Sequence, residues 1–509
     1  MGEAGGQGRE AGTDGADVVA HRASLARANP VDLNTGAGPR LVVVSVPAEI
    51  PDSAVRTAVR TELFGPARRA TTIGLVLLIS LIAFEAMGVG TAMPAIVADL
   101  GAVSHYAWPF VAFMASAVIG TVLGGRWCDV AGPRVPLVVA PTLFGAGLIV
   151  AGTADGMGQL LVGRFLQGLG AGAQGVAVYV LVAAVYPQRV RPAVFGLISS
   201  AWVLPALIGP PVSGIVTERL SWHWVFLGLV PVVLLAVALV APAARRLGPP
   251  DPGRATPPAR RGFALAAVGA AAGVSALSWA SQQTSTLAAV VAAGAAVLLV
   301  PSMRRLLPVG VFRARRGVPT LVAARGLLAG TFFTVNSYLP LMLADTHRWS
   351  LTMAGVPLLV GSLGWSAAAA WQGRHPGLAR HRLLRAGFCL LAAGTAGMLL
   401  VAPAWGVPWL AAPLWALAGL GMGLGFSSVA YLLLAQSAPG EVGFHSSAAQ
   451  LSDQLTTALM IAVGGGLLAL FGSAASALPV LVAGLTAMAV IGVLVAGRTA
   501  GEHPDVNPG

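Results

Sequence analysis

The chain has 509 residues, of which 56% are hydrophobic and only 10% charged, and its mean hydropathy is +0.79. Polar residues are too few to cover that apolar surface in water, which excludes an ordinary soluble domain. The formal net charge of +12 could suit nucleic acid, but the basic residues, all arginine, fall in short clusters between apolar runs and form no basic face, so no nucleic-acid partner is expected.

Residues 1–68 are rich in Gly, Ala and Arg and read as a disordered cytoplasmic tail. The run from Leu41 to Pro47 is too short to span a bilayer, and the tail lacks the early apolar core of a cleaved leader. Apolar runs of spanning length then follow one another, each near the roughly 20 residues that a bilayer core requires. They lie at 72–95, 107–125, 135–154, 158–184, 192–216 and 222–243, then at 263–280 and 286–302. Six more lie at 318–343, 351–373, 381–402, 409–435, 445–471 and 475–497. The stretch 244–262 is rich in Pro and Arg and reads as a cytoplasmic linker. The expected architecture is therefore an all-α polytopic membrane protein of about fourteen spans. A six-helix half (72–243) and a second (318–497) flank two inserted helices (263–302).

Arginine placement sets the orientation. With the N-terminus inside, the inner loops hold Arg126 and Arg134, Arg189 and Arg191, and clusters around Arg245, Arg260, Arg304, Arg315 and Arg382. The outer loops hold only Arg219 and Arg348. This is the asymmetry of the positive-inside rule, and it places both termini in the cytoplasm.

Two acids, Glu85 and Asp453, lie well inside apolar runs. A carboxylate there is expensive to bury and rare unless it works, typically by carrying a proton, or is paired with a buried base. Two arginines, Arg164 and Arg325, also fall inside spans. At 1.5 Å per residue, Glu85 sits about 15 Å and Arg164 about 9 Å from the outer ends of their helices. Asp453 and Arg325 each sit about 10–12 Å from the inner ends. Depth alone therefore predicts two ion pairs, Glu85–Arg164 and Asp453–Arg325, one in each half. Gln167, Gln174, Tyr179, Trp202 and Asn336 are candidates to line a substrate cavity, with helix bridging as the alternative. Glycines at 419, 421, 423 and 425 read as close helix packing.

Other chemistries find little support. The two cysteines, Cys128 and Cys389, have neither spacing nor partners for a metal or a catalytic thiol, so neither metal nor cofactor is expected. A chain without lysine has no G-x4-G-K-[ST] loop, which speaks against an ATP-driven pump.

Four segments then point one way. GGRWCDVAGPR, Gly124 to Arg134, carries Gly125, Asp129, Gly132 and Arg134 at the spacing G-x3-D-x2-G followed by a basic residue, with Pro133 where another base is usual. It resembles the signature loop of the major facilitator superfamily. RFLQGLGAG, from Arg164, resembles that family's fourth-helix motif R-x2-Q-G-x-G. GPPVSG resembles its fifth-helix antiporter motif through Gly209, Pro210 and Gly214, with Ser213 in place of a glycine and Pro205 in place of another. FEAMGVGTAMP, Phe84 to Pro94, keeps the acid-to-proline spacing of the first helix in fourteen-helix drug:proton antiporters. The resemblance spans about 70–498. It implies a proton-coupled exporter of small lipophilic or cationic compounds in the plasma membrane, working by alternating access. In this reading Glu85, Arg164, Asp453 and Arg325 carry proton coupling, and Asp129 meets a helix N-terminus near His445 to Ser447 in the other half. A transporter of one metabolite with the same fold is the alternative, and a membrane enzyme a distant one.

Overall fold

The computed structural model describes residues 61–499 except 67, 188–189, 191–193, 195–196, 199–200, 248–261, 284, 376–377 and 438–441. The expected tail up to residue 60 and most of the linker lie outside the described residues. Residues 61–64, which the sequence places in the tail, form a helical turn instead. Leu63 is buried there, and its carbonyl accepts a hydrogen bond from the Thr72 hydroxyl at 2.7 Å.

Among the described residues, fourteen helices follow the fourteen expected spans in order. The first half comprises α1 (Arg69–Asp99), α2 (Trp108–Ala131), α3 (Pro136–Gly152), α4 (Met157–Val185), α5 (Val203–Arg219) and α6 (Val230–Arg246), the last preceded by a short helix at His223–Leu227. The inserted pair is α7 (Phe263–Ala280) and α8 (Thr286–Leu306). The second half comprises α9 (Val318–Leu341), α10 (Leu351–Arg374), α11 (Arg380–Gly397), α12 (Ala411–Gln436), α13 (Val442–Phe471) and α14 (Ala474–Ala496). Twelve of the helical segments are long and apolar enough to cross a bilayer, and α3 is a shorter apolar helix of 17 residues. Such helices are apolar all round because one side meets protein and the other meets lipid, so a one-sided stripe is not expected.

Two boundaries depart from expectation. Helix α2 runs on to Ala131, so most of the segment read as a loop is helical, and Cys128 is buried in it. Arg126 and Asp129 ended the apolar run, but a helix that emerges from the bilayer keeps its backbone bonds in water. Helix α5 is described from Val203, and much of 192–200 lies outside the described residues.

Glycine sets how closely the helices approach, since apolar lipid gives helices no hydrophobic reason to associate and contact energy must come from packing. In the first half α2 lies on α4, where Gly120 faces the Leu169 carbonyl and Gly172 the Ala117 carbonyl with no room for a Cβ. In the second half α12 sits between α10 and α11. Gly419 and Gly423 meet the backbone of Gly361 and Trp365 on α10, and Gly421 meets Gly387 on α11. Across the halves, α5 packs on α10, α2 on α13 and α1 on α9. Helix α7 touches both halves, packing on α2 and on α13. Just past its C-terminal end Trp108 donates to Gln282 Oε1 at 3.0 Å, and the Ser281 hydroxyl donates to the Ala462 carbonyl at 3.3 Å.

Candidate functional site

The first-half site is built on α1, α2 and α4. Arg164 is 2% exposed and its guanidinium Nη1 donates to Glu85 Oε1 in a buried ion pair. The same nitrogen donates to Gln167 Oε1 at 2.7 Å, one turn further along α4. Arg164 Nε donates to the Pro109 carbonyl on α2 at 3.2 Å, and the guanidinium carbon lies 4.6 Å from the Phe113 ring centroid. An arginine in apolar surroundings has thus been given carbonyl, carboxylate and ring partners on three helices. Glu85 Oε2 and Gln167 Nε2 are buried with no hydrogen-bond partner. The network is therefore one donor and one acceptor short of closure, a costly arrangement in a low-dielectric interior.

The second-half site joins α9, α12 and α13. Arg325 Nε donates to Asp453 Oδ2 at 2.8 Å, and the guanidinium carbon lies over the Phe426 ring, 3.7 Å from its centroid. This pair is more open than the first, with side chains 18% and 15% exposed. Asp453 Oδ1 has no hydrogen-bond partner. Phe426 leads into a run of rings: Trp365 at 5.4 Å, Phe332 at 5.6 Å from Trp365, and Trp415 stacked on Phe332 at 4.8 Å. Trp415 Nε1 donates to Asn336 Oδ1 at 3.4 Å, and Asn336 Nδ2 reaches Met87 Sδ on α1 at 4.0 Å. The chain of contacts thus passes from the second ion pair to the first half.

The other candidate residues distribute as follows. Gln167 belongs to the arginine network, and Gln174 Nε2 donates to the Leu78 carbonyl at 2.8 Å, bridging α4 to α1. Asn336 is buried between the halves. Tyr179 is half exposed on α4, and Trp202 is partly buried at the start of α5. Two open depressions of about 320 and 290 Å³ lie by the C-terminal ends of α7 and α13 and the N-terminal end of α8, lined by residues such as Ser281, Gln283 and Val463 and by none of these candidates.

At the C-terminal end of α2, Gly132 closes the helix with φ +73°, a positive value that explains glycine at this place. Arg134 is exposed and Gly125 is partly buried. The Asp129 side chain, and with it the expected meeting with the start of α13, lies outside the described residues. His445, on the first turns of α13, pairs with the Ser437 hydroxyl at 2.9 Å.

The fifth-helix segment turns out to be a contact surface. Gly209 faces Gly88 and Phe84 on α1. Pro210 faces Gly355 on α10, and at Gly214 the backbone of Thr352 comes so close that a Cβ would lie 2.8 Å from its Cα. One turn on, Glu218 Oε1 accepts the Thr352 backbone N–H at 2.8 Å and Oε2 accepts its hydroxyl at 2.7 Å. Glu218 carries no signal in the sequence, because an acid beside Arg219 at a helix end reads as a solvated charge.

The match to the family model of the Major Facilitator Superfamily covers residues 75–459, most of the chain and both ion pairs. The chain belongs to the Major Facilitator Superfamily. Among relatives, it is 32% identical over 161 residues to an acurin A biosynthesis cluster MFS-type transporter of Aspergillus aculeatus, over 32% of this chain and 29% of that one. It is 31% identical over 178 residues to multidrug resistance protein 3 of Bacillus subtilis, over 34% of this chain and 35% of that one. The chain thus spans about a third of the length of the curated relatives it matches. Among solved structures, an auto-inhibited POT family peptide transporter superimposes with TM-score 0.60 at 17% identity, over 86% of this chain and 98% of that one, which supports the fold alone. Superfamily membership makes the protein an integral membrane protein of a transporter family rather than one of enzymes.

Proposed function

We propose that this superfamily member is a secondary exporter of small lipophilic or cationic organic compounds, driven by proton entry. It would reside in the plasma membrane with both termini in the cytoplasm. The observation that carries the reading is the buried Glu85–Arg164 pair with its unpartnered carboxylate oxygen. A proton arriving on Glu85 removes the negative charge that faces Arg164. The guanidinium is then left with Gln167, Pro109 and Phe113, and the hold of α4 on α1 weakens. Asp453 and Arg325 offer a second, more open pair for the same chemistry in the other half. The two halves rock about a site near the bilayer midplane, and substrate and proton favour opposite states. The name of the Bacillus relative supports a broad substrate range.

The Aspergillus relative is named for a single biosynthetic cluster, which favours a second reading: export of one metabolite by the same mechanism. Uptake into everted vesicles separates these readings. Accumulation of several unrelated dyes, abolished by an uncoupler and by Glu85→Gln at equal expression, is the expected result. Uncoupler-sensitive uptake that survives Glu85→Gln moves coupling away from Glu85. Uptake of no dye favours the single-metabolite reading.

A further inference from the structure

The connection between α8 and α9, residues 307–317, is an ordered loop with two kinds of side chain facing out. Leu306, Leu307 and Val311 are buried and fix it to the body of the protein. Its backbone is tied by Arg315 N–H donating to the Gly310 carbonyl at 3.1 Å and by Thr320 N–H donating to the Arg315 carbonyl at 3.1 Å. The Arg498 guanidinium, just beyond α14, donates to the Arg313 carbonyl at 3.4 Å. Ala314 holds a positive φ of 44°, a conformation that only a well-determined loop imposes on a residue with a Cβ. The loop is therefore a fixed shape.

That shape points Val309, 83% exposed, and Phe312, 60% exposed, away from the protein. Exposed Arg304, Arg305, Arg313, Arg315 and Arg316 lie within five residues of them along the chain. No neighbouring acid offsets this charge along the chain: residues 252–324 contain eight arginines and no acid. The loop joins the arginine-rich ends of α8 and α9, level with the end of α14. Apolar side chains held among cations at the end of a membrane span match the boundary between acyl chains and anionic headgroups.

We propose that residues 307–317 form an interfacial anchor that docks into the cytoplasmic leaflet, with Phe312 and Val309 among the upper acyl carbons and Arg313 and Arg316 on the phosphates of anionic phospholipids. Exposed aromatic area makes the anchor reach into the bilayer, and charge complementarity selects the lipid. The anchor holds the inserted pair and the start of α9 at one depth. It rests on the membrane-spanning reading and not on any substrate or coupling ion.

The test uses the full-length chain carrying Cys128→Ala and Cys389→Ala, with a nitroxide attached at Phe312→Cys. The protein is placed in nanodiscs of phosphatidylcholine, with or without phosphatidylglycerol. In discs containing phosphatidylglycerol the label should be relaxed by oxygen and protected from a water-soluble nickel chelate. Retention of phosphatidylglycerol in native mass spectrometry should fall roughly tenfold in Arg313→Gln/Arg316→Gln with Phe312 intact. Relaxation by the nickel chelate in both lipids would overturn the proposal and turn attention to a soluble partner. Insertion that ignores headgroup charge, or undiminished phosphatidylglycerol retention in the double variant, would also overturn it.

Discussion

Glu218 on α5 and Thr352 on α10 belong to opposite halves, and one carboxylate takes both the backbone N–H and the hydroxyl of the other residue. It caps the start of α10, where an anionic group meets the helix dipole and the unpaired N–H groups of the first turn. Glycine at 214 lets the two backbones come close enough for this to happen. The two halves meet at this end through this cap, through the Tyr106 hydroxyl donating to the Ser337 carbonyl at 2.6 Å, and through the contact of Gly465 with Ala107.

Removing that cap should loosen the outer closure. The site is exposed, so the loss is modest, about 0.5–1 kcal/mol. Glu218→Ala should therefore raise the outward-open population roughly two- to fivefold, and Thr352→Val should do about the same through the hydroxyl alone. Distances between spin labels on the outer ends of α5 and α10 report the shift. An unchanged distribution in Glu218→Ala would show that the cap contributes nothing to closure.

Arg164→Ala should destabilise the fold more than Glu85→Gln does. Removing the base leaves a buried carboxylate uncompensated, at a cost of about 3–5 kcal/mol, whereas removing the acid leaves Arg164 with three other partners. Thermal melts in detergent should rank wild type first, Glu85→Gln next and Arg164→Ala last.

The second pair is open enough to accept exchange of its members. Arg325→Asp and Asp453→Arg singly should each abolish transport, and the double exchange should recover part of it. Failure to recover in protein that folds would mean that Arg325 is needed against Phe426 as well as against Asp453.

Glycines of equal appearance in the sequence should behave oppositely. Gly419→Ala drives a Cβ into the Gly361 carbonyl and should cost about 1–3 kcal/mol, or prevent folding. Gly484 on α14 has nothing within contact distance of an added Cβ, so Gly484→Ala should be neutral or stabilise by up to about 1 kcal/mol. Melting temperature and yield of monodisperse protein check both.

Much of this was legible from residue types alone. Fourteen apolar runs appear as helices, because bilayer thickness leaves few ways to satisfy a backbone. Charged residues inside those runs stand out, and depth along the helix was enough to match Glu85 with Arg164 and Asp453 with Arg325. Gln167, three residues on along the same helix, is a neighbour that spacing alone supplies, but depth says nothing about azimuth, so the contacts of Arg164 with Pro109 and Phe113 could not be foreseen. Nor could the run of rings from Phe426 to Trp415, since single aromatic residues in a membrane span look alike whether they face protein or lipid. The hydropathy run stops short of the end of α2 because charge ends such a run without ending a helix. The role of Glu218 is hidden in the sequence because its partner is 134 residues away in the chain and has no charge.

Helix α7 packs on α2 and on α13, and just past its end Gln282 accepts from Trp108 of α2 while Ser281 donates to the Ala462 carbonyl of α13. For halves that rock against each other, a helix fixed to both cannot follow both. One face of α7 must slide in every turnover, as a bearing does. The inserted pair then adds friction to the cycle, and the stiffness of the surrounding lipid should set part of the turnover rate.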